Sequence, residues 1–577
     1  MTYKENYEYW LKDQYFCDAT KKELQNISDN EEEIKDRFYK NLDFGTAGLR
    51  GILGAGTNRM NIYTVRKATQ GFANYLINEP SIEHTNGVAI AYDPRNMSQE
   101  FARETALVFN ANGIKAYVYT GIRPTPQLSY TVRSLGCAAG VMVTASHNPP
   151  EYNGYKVYGA DGAQVTSPHD NNIINHVNAI SDFGQIKTMP IADAKSQGLY
   201  IELGDDIDEA FLSECLELII NKDVIAKQHN IPIIYTPIHG AGHIPVKETL
   251  ARAGFTSVSI VAEQAEPNGN FPTVKYPNPE EPAVFEIAIK QAQQNGAEVI
   301  VGSDPDADRI GVVCKNHQGE YITLNGNTIG ILLTEYILSQ KVANGTLPSN
   351  AAVLSSIVSS KMTRAIAQAY NASFFEVFTG FKHFGELIKT WETTKAHTFI
   401  YGFEESYGYM AGTYVRDKDA VGATMLVCEM VAYYKSIGLS LYDALQEIYK
   451  KYGYYKEETV SITLKGIAGT EKIKRIMDYF VANPVQQILG NTVTDYRNYN
   501  TSVSKNFATG NETTIDFPKS NVVSFTTDDG TWLCVRPSGT EPKLKLYLGV
   551  VGNSEDNAYD ILSKAKEEIT KLVDAVE

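Results

Sequence analysis

The sequence predicts an α/β protein: three consecutive α/β domains with mixed sheets, then a smaller C-terminal α+β domain, arranged around a central cleft. Three observations lead there. The chain has 577 residues, too many for one hydrophobic core, and roughly 150 residues per domain gives about four. Short apolar runs of strand length alternate with amphipathic stretches of helix length through most of the chain, which is the rhythm of parallel α/β layers. Beyond about Gly453 that rhythm gives way to runs of strands with flanking helices, the texture of an α+β module.

Taken in order, residues 1–39 are charged and helix-like, with Glu31, Glu32, Glu33, Lys35 and Arg37 suited to a solvated face. Residues 87–92 (GVAIAY) read as a buried strand, 99–112 as a helix, and 115–119 and 140–144 (GVMVT) as further strands. The rhythm restarts near Asp205 with a helix, followed by strands at 231–235, 257–261 and 298–301. It restarts again with a helix at 326–338, a strand at 352–357 and a helix at 362–370. The last module reads as a strand at 458–463, a helix at 470–481, strands at 522–526, 531–535 and 543–548, and a closing helix at 554–573. Within it, the Asn- and Thr-rich stretch 491–519 resembles an insertion. The expected domains are therefore 1–205, 206–319, 320–453 and 454–577.

Composition limits the partners. Hydrophobic residues make up 43% and charged residues 21%, the balance of a soluble globular protein rather than a disordered chain or coiled coil. Lys plus Arg is 52 against 68 for Asp plus Glu, a net charge of −16. That surplus of acid disfavours nucleic acid and anionic membrane as partners, yet leaves room for an anionic small molecule where a few cations converge. Cys17, Cys137, Cys215, Cys314, Cys428 and Cys534 show no metal-ligand spacing and read as reduced, buried thiols. The first fourteen residues lack the apolar stretch of a signal peptide, and the apolar run 424–434 is broken by Glu429. A cytoplasmic protein is expected.

Four loops carry the chemistry. Thr144-Ala145-Ser146-His147-Asn148-Pro149-Pro150 follows an apolar strand, and its prolines force an ordered loop at the strand's carboxyl end, where open α/β sheets place ligands. Ser146, beside His147 and with Lys156 ten residues on, reads as an activated nucleophile; the alternative is a surface Asn-Pro turn. In Ser303-Asp304-Pro305-Asp306-Ala307-Asp308-Arg309, an extended backbone would aim three carboxylates at one face, a costly arrangement without a cation and one that suits Mg²⁺; the alternative is a solvated acidic turn. Gly402-Phe403-Glu404-Glu405-Ser406-Tyr407-Gly408 offers acceptors and donors for sugar hydroxyls, or else a helix N-cap. Arg536-Pro537-Ser538-Gly539-Thr540-Glu541-Pro542, read as lying between two strands, offers a guanidinium fork and a hydroxyl-lined nest for phosphate, or else a plain hairpin. Two further segments present cations: Gly45-Thr46-Ala47-Gly48-Leu49-Arg50-Gly51 presents Arg50, and Thr379-Gly380-Phe381-Lys382 presents Lys382.

The order T-A-S-H-N-P, D-x-D-x-D-R, G-x-E-E-S, R-P-S-G-T-E-P resembles the α-D-phosphohexomutase superfamily from Gly45 to about Tyr547. The segments GTAGLRG, NPPEYNGYKVYG, TPIHGAG and GFEESYGY look like its phosphoglucomutase-2-like branch. One departure is the loop opening Gly-Phe-Glu-Glu, where many relatives read Gly-Glu-Glu or Gly-Glu-Met. The resemblance implies that Ser146 carries a phosphoryl group and, with Asp304, Asp306 and Asp308, holds one Mg²⁺ per chain. It implies that Arg50, His147 and Lys156 surround the reacting phosphoryl group. Arg309, Thr379, Gly380, Lys382, Glu404, Ser406 and Lys418 would meet the sugar phosphate, and Arg536, Ser538, Gly539 and Thr540 its non-reacting phosphate.

The implied activity is interconversion of glucose 1-phosphate and glucose 6-phosphate, with glucose 1,6-bisphosphate as activator and intermediate, in a monomer or weak homodimer. Phosphopentomutase and phosphomannomutase are the near alternatives. A metal-dependent sugar-phosphate phosphatase or a non-catalytic sensor would be a different class, and the second phosphate site argues against the hydrolase.

Overall fold

Strands with no polar alternation must be covered on both faces, so they pair in parallel with helices on either side. Val88–Tyr92 and Ala139–Val143 are buried along their whole length and pair in parallel at the centre of a six-stranded sheet. Ala116–Tyr119 and Tyr200–Leu203 continue that sheet in parallel on one side. On the other side Tyr152–Gly159 and then Gly48–Ile52 run antiparallel. Helices Ile62–Asn78, Ser98–Ala111 and Thr125–Ser134 pack around it. The first of these is opened by a capping box in which Asn61 accepts from Tyr63 and Thr64.

A five-stranded sheet follows, with Ile233–Thr236 paired in parallel to Val258–Ile260 and Val299–Ser303, while Ile310–Lys315 and Tyr321–Leu324 run antiparallel. A four-stranded sheet then orders Ser373–Val377, Ala351–Ser356, Thr398–Glu404 and Gly408–Ala411. The last sheet has Tyr454–Thr463 paired along its whole length with Lys543–Gly552. Helices Gly466–Ala482 and Glu555–Asp574 bury Ile476, Phe480, Leu562 and Ile569 against Phe525, Leu533 and Leu546 of that sheet. The Asn- and Thr-rich stretch is folded: Asn491–Asn498, Val503–Lys505 and Glu512–Thr514 extend the sheet, and Tyr496 stacks on Phe507 and Phe525.

The computed structural model describes residues 2–45, 48–464, 466–538 and 543–576. They form two compact units, one of residues 1–356 with 370–442 and the other of 357–369 with 443–577. No helix among the described residues is long and apolar enough to cross a membrane.

Two expectations are corrected. Lys35 is exposed as expected, but Arg37 is not simply solvated: it is largely buried, paired with Glu33 at 2.8 Å and Glu23 at 2.5 Å, and it donates to Ala55 O. Cys17 is exposed, whereas the other five thiols are buried.

The Glu429 that interrupts the apolar run lies fully buried in helix Ala420–Ser436 and accepts the Ile220 and Asn221 amides. Burial pushes its carboxyl up to about 7. The native state therefore holds a proton that the unfolded chain releases near 4.5, so this group's contribution falls as pH rises between those values. A shift of that size corresponds to on the order of 3 kcal/mol. Glu429→Gln keeps the acceptor oxygen, and it is expected to flatten the decline of Tm from pH 5 to 7.5 in thermal melts, about as the linkage slope requires.

Candidate active site

The serine loop is shaped by hydrogen bonds at the end of strand Ala139–Val143. Thr144 Oγ1 donates to Asp93 Oδ2 at 2.6 Å and accepts the Ser146 amide at 2.8 Å. Ser146 sits at a left-handed φ of 52° and is buried. Its Oγ donates to Asp304 Oδ2 at 2.8 Å and lies 3.2 Å from His147 Nδ1. Burial, with the charges of Arg309 and Arg50, holds the His147 imidazole well below its usual range and so neutral.

Arg50 lies opposite Gly154 in the antiparallel pair and donates to Asn148 Oδ1 at 3.0 Å. A Cβ on Gly154 would meet Thr144 O at 2.4 Å, so only glycine lets the strands close over the serine loop. Two residues on, and therefore on the same face, Lys156 reaches Asp306 Oδ2 at 2.7 Å and Asp308 Oδ2 at 3.2 Å.

The acidic trio converges, but not through an extended backbone. Strand Val299–Ser303 ends before Asp304, and the chain then turns, with Ala307 at a φ of 47°. Asp304 Oδ1 accepts the Asp308 and Arg309 amides, each at 3.0 Å, while the Ala307 amide donates to Asp304 O at 2.9 Å. Pro305 starts the turn and the aspartate closes it on itself, which is why a tight loop replaces the pleat. All three carboxyl groups are buried and offer ligand atoms within 4.8 Å of one another.

Burial and the two neighbouring carboxylates push Asp304 well up. Burial opposes ionisation of Asp308 too, but Lys418 and Lys156 hold it below the usual carboxylate range. Asp306 Oδ1 and Asp308 Oδ1 are buried with no hydrogen-bond partner among the described residues. Orphaned carboxylate oxygens beside a third carboxylate are the donor set a hard divalent cation requires, so the residues fit Mg²⁺.

The Gly402–Gly408 residues form a hairpin rather than a helix start, with Glu404 at the end of strand Thr398–Glu404 opposite Gly408. Arg309 bridges to Gly408, and the Ile310 amide donates to Tyr407 O at 3.1 Å, which ties this hairpin to the acidic turn. Arg309 pairs with Glu280 at 2.8 Å. Lys418 lies 3.1 Å from Asp308 and 2.9 Å from Asp417. Glu404 accepts the Gly380 amide, and burial, then the adjacent Glu405, pushes its carboxyl up to about 7. Thr379 and Ser406 are half-buried. Lys382 stands in the first turn of helix Phe381–Thr394, where burial lowers its ammonium and Asp170 and Glu386 oppose that shift.

In the second unit Arg536 belongs to strand Trp532–Pro537, opposite Lys545, and is not in the loop between strands. The Ser538 amide donates to Lys543 O at 2.8 Å. Gly539 and Thr540 lie outside the described residues, as do Thr46 and Ala47 of the Arg50 loop.

Several supporting groups were not anticipated. Thr125 donates to Asp306 through both hydroxyl and amide, each at 2.8 Å. Ala241 N donates to Pro305 O at 2.8 Å, and Gly240 packs against Pro305, so the TPIHGAG segment props the acidic turn. Asp417 accepts from Tyr158 at 2.8 Å and from Gln164 at 3.0 Å. The one available signal for such groups was the placement of polar residues directly after apolar strands.

A serine hydroxyl on buried carboxylates, with lysines around it and loops from successive α/β sheets meeting there, defines the class of phosphoryl-transfer enzymes. Sequence models of the phosphoglucomutase/phosphomannomutase domains match in succession: α/β/α domain I at 41–183, domain II at 209–319, domain III at 325–452 and the C-terminal domain at 485–560. The chain belongs to the phosphoglucomutase/phosphomannomutase family. It is 36% identical to the phosphoglucomutase of Staphylococcus haemolyticus (strain JCSC1435), covering 91% of this chain and 93% of that one. In fold it is similar to the exocytosis-sensitive phosphoprotein pp63/parafusin of Paramecium in its open form, with a TM-score of 0.67 and 17% identity over 93% of this chain and 95% of that one. It is also similar in fold to a phosphoglucomutase/phosphomannomutase family protein of Burkholderia thailandensis, with a TM-score of 0.64 and 15% identity over 92% and 98% of the two chains.

Gly154→Ala is expected to displace the Arg50 strand from the serine loop and lower kcat/KM on the order of 100-fold. Steady-state kinetics, with circular dichroism to confirm the fold, would check this.

Proposed function

We propose that the chain interconverts glucose 1-phosphate and glucose 6-phosphate, the phosphoglucomutase reaction, through a phosphoserine at Ser146 and a glucose 1,6-bisphosphate intermediate. The observation that carries the reading is the Ser146 Oγ placed 2.8 Å from Asp304, within a buried trio in which Asp306 Oδ1 and Asp308 Oδ1 have no hydrogen-bond partner among the described residues. Asp304, Asp306 and Asp308, with an oxygen of the Ser146 phosphate, would hold Mg²⁺, which when bound neutralises the site and polarises the transferring group.

In the first half-reaction a sugar hydroxyl oxygen loses its proton and bonds to phosphorus as the bond from phosphorus to Ser146 Oγ breaks, the serine oxygen takes up a proton, and a bisphosphate is left. The sugar turns end for end, and its other phosphoryl group passes to Ser146 Oγ. Arg50 and Lys156 stabilise charge on the equatorial oxygens in both directions. Asp304 Oδ2 and His147 Nδ1 are the acceptors within reach of the serine proton on the return step. Glu404 and Ser406 grip sugar hydroxyls, with Arg309, Thr379, Gly380, Lys382 and Lys418 supplying further contacts. Arg536 and Ser538, with the Gly539 and Thr540 positions, take the non-reacting phosphate, the planar guanidinium matching its oxygens.

Incubation with glucose 1,6-bisphosphate should add one phosphoryl group, located at Ser146 by intact mass and peptide mapping. Ser146→Ala should take none and lose interconversion; undiminished turnover would sink the assignment. Chelation by EDTA should abolish activity and added Mg²⁺ restore it. Replacing Arg536 with Ala should mainly raise KM. Competition between glucose 1-phosphate and ribose 1-phosphate would reveal a pentose preference, and free phosphate release would reveal a phosphatase.

A further inference from the structure

Arg95, which the proposed reaction does not use, has a side chain fully buried just beyond strand Val88–Tyr92. Its guanidinium gathers the carbonyls of the serine loop. Nη2 donates to Ser146 O and Asn148 O, while Nη1 donates to Pro149 O at 2.8 Å and Tyr152 O at 3.0 Å. Asp93 neutralises it, with Oδ2 3.3 Å from Nε. Asp93 also accepts the Arg95 amide at 3.0 Å, Ser98 Oγ at 2.9 Å and Thr144 Oγ1 at 2.6 Å. The carbonyl of the left-handed Ser146 and three that follow it in the chain thus converge on one cation. A lysine, with a compact ammonium, cannot present donors in that planar fork.

The other face of the same guanidinium lies 5.0 Å from the ring centroid of Phe271, a buried residue at a φ of 44° in the second α/β module. The neighbouring chain is fitted to this contact. A Cβ on Gly269 would meet Asn96 N at 2.5 Å, and Asn96 Nδ2 donates to Asn270 Oδ1 at 2.8 Å. From there, the Asn268 amide donates to His239 O at 3.2 Å, and two residues on Ala241 N donates to Pro305 O in the acidic turn.

We propose that Arg95 and Phe271 form a clasp that holds the serine loop in register with the acidic turn, and that Arg95 is a positioning residue for phosphoryl transfer. This rests on the phosphoserine reading above. The direct tie between the loops is the hydrogen bond that the Ser146 hydroxyl donates to Asp304. Phosphorylation removes that proton and puts roughly −1.5 to −2 charge beside three carboxylates. The clasp runs through groups that do not change during the cycle, so it keeps the spacing when the direct tie is gone. The cation–π contact joins the modules without a hydrogen bond that water could replace.

The test uses the full chain with Arg95→Lys and Phe271→Leu, the second being a near-volume change that leaves the serine loop's own hydrogen bonds intact. Phosphoryl incorporation from glucose 1,6-bisphosphate, kcat and KM for glucose 1-phosphate, and Tm are measured together. Wild-type protein and both variants are expected to take label at Ser146. The variants should show kcat lower on the order of 100-fold for Arg95→Lys and about tenfold for Phe271→Leu, with KM changed less than about threefold. Wild-type kcat in folded Phe271→Leu overturns the clasp, as does a loss in either variant that only follows the fraction unfolded. Absence of label in the wild-type protein overturns the phosphoserine reading itself, and the clasp with it.

Discussion

Three carboxyl groups buried within 4.8 Å of one another are the constraint on which the rest depends. Like charges this close cannot all ionise in a low-dielectric site without compensation. The surrounding fold supplies it: Lys156 comes from an antiparallel strand of the first sheet, Lys418 from the segment after the hairpin that carries Glu404, and Arg309 from the acidic turn itself. Each cation arrives from a different part of the first unit, so the electrostatics of the site depend on how its sheets pack. The two carboxylate oxygens left without partners are where compensation is incomplete, and a divalent cation is what would complete it.

Backbone shape does as much as charge. Ser146 and Ala307 both adopt left-handed φ, one on the nucleophile loop and one on the acidic turn. Such conformations cost about 1–2 kcal/mol for a residue with a Cβ, and each is held by side chains that cap the turn from within. Asp93 and Thr144 do this for the serine loop, and Asp304 does it for its own turn. The site is thus built from short turns at strand ends, braced by buried polar groups.

The strands and helices were legible because their patterns are local. GVAIAY carries no polar residue, and only a strand covered on both faces accommodates that. The acidic trio was legible as a cluster, but its geometry was not. Alternation along an extended chain would also bring side chains together, and only the turn after Ser303 shows the different route. Arg95 was invisible for a related reason. An arginine in a Asp-Pro-Arg turn reads as a surface residue until four carbonyls and a ring from another module are seen around it.

What the chain alone determined was the inventory: alternating layers, a serine in an Asn-Pro loop, three carboxylates, and loops rich in polar residues at strand ends. Those follow from composition and short-range pattern, which act over a few residues. Tertiary structure decided the partners: which lysine faces which aspartate, that Glu404 pairs with the Gly380 amide, that Arg309 reaches Glu280, and that Phe271 covers Arg95. Charge compensation and packing act through space between residues far apart in sequence, 158 positions for Ser146 and Asp304 and 259 for Tyr158 and Asp417, and no local pattern encodes such a distance.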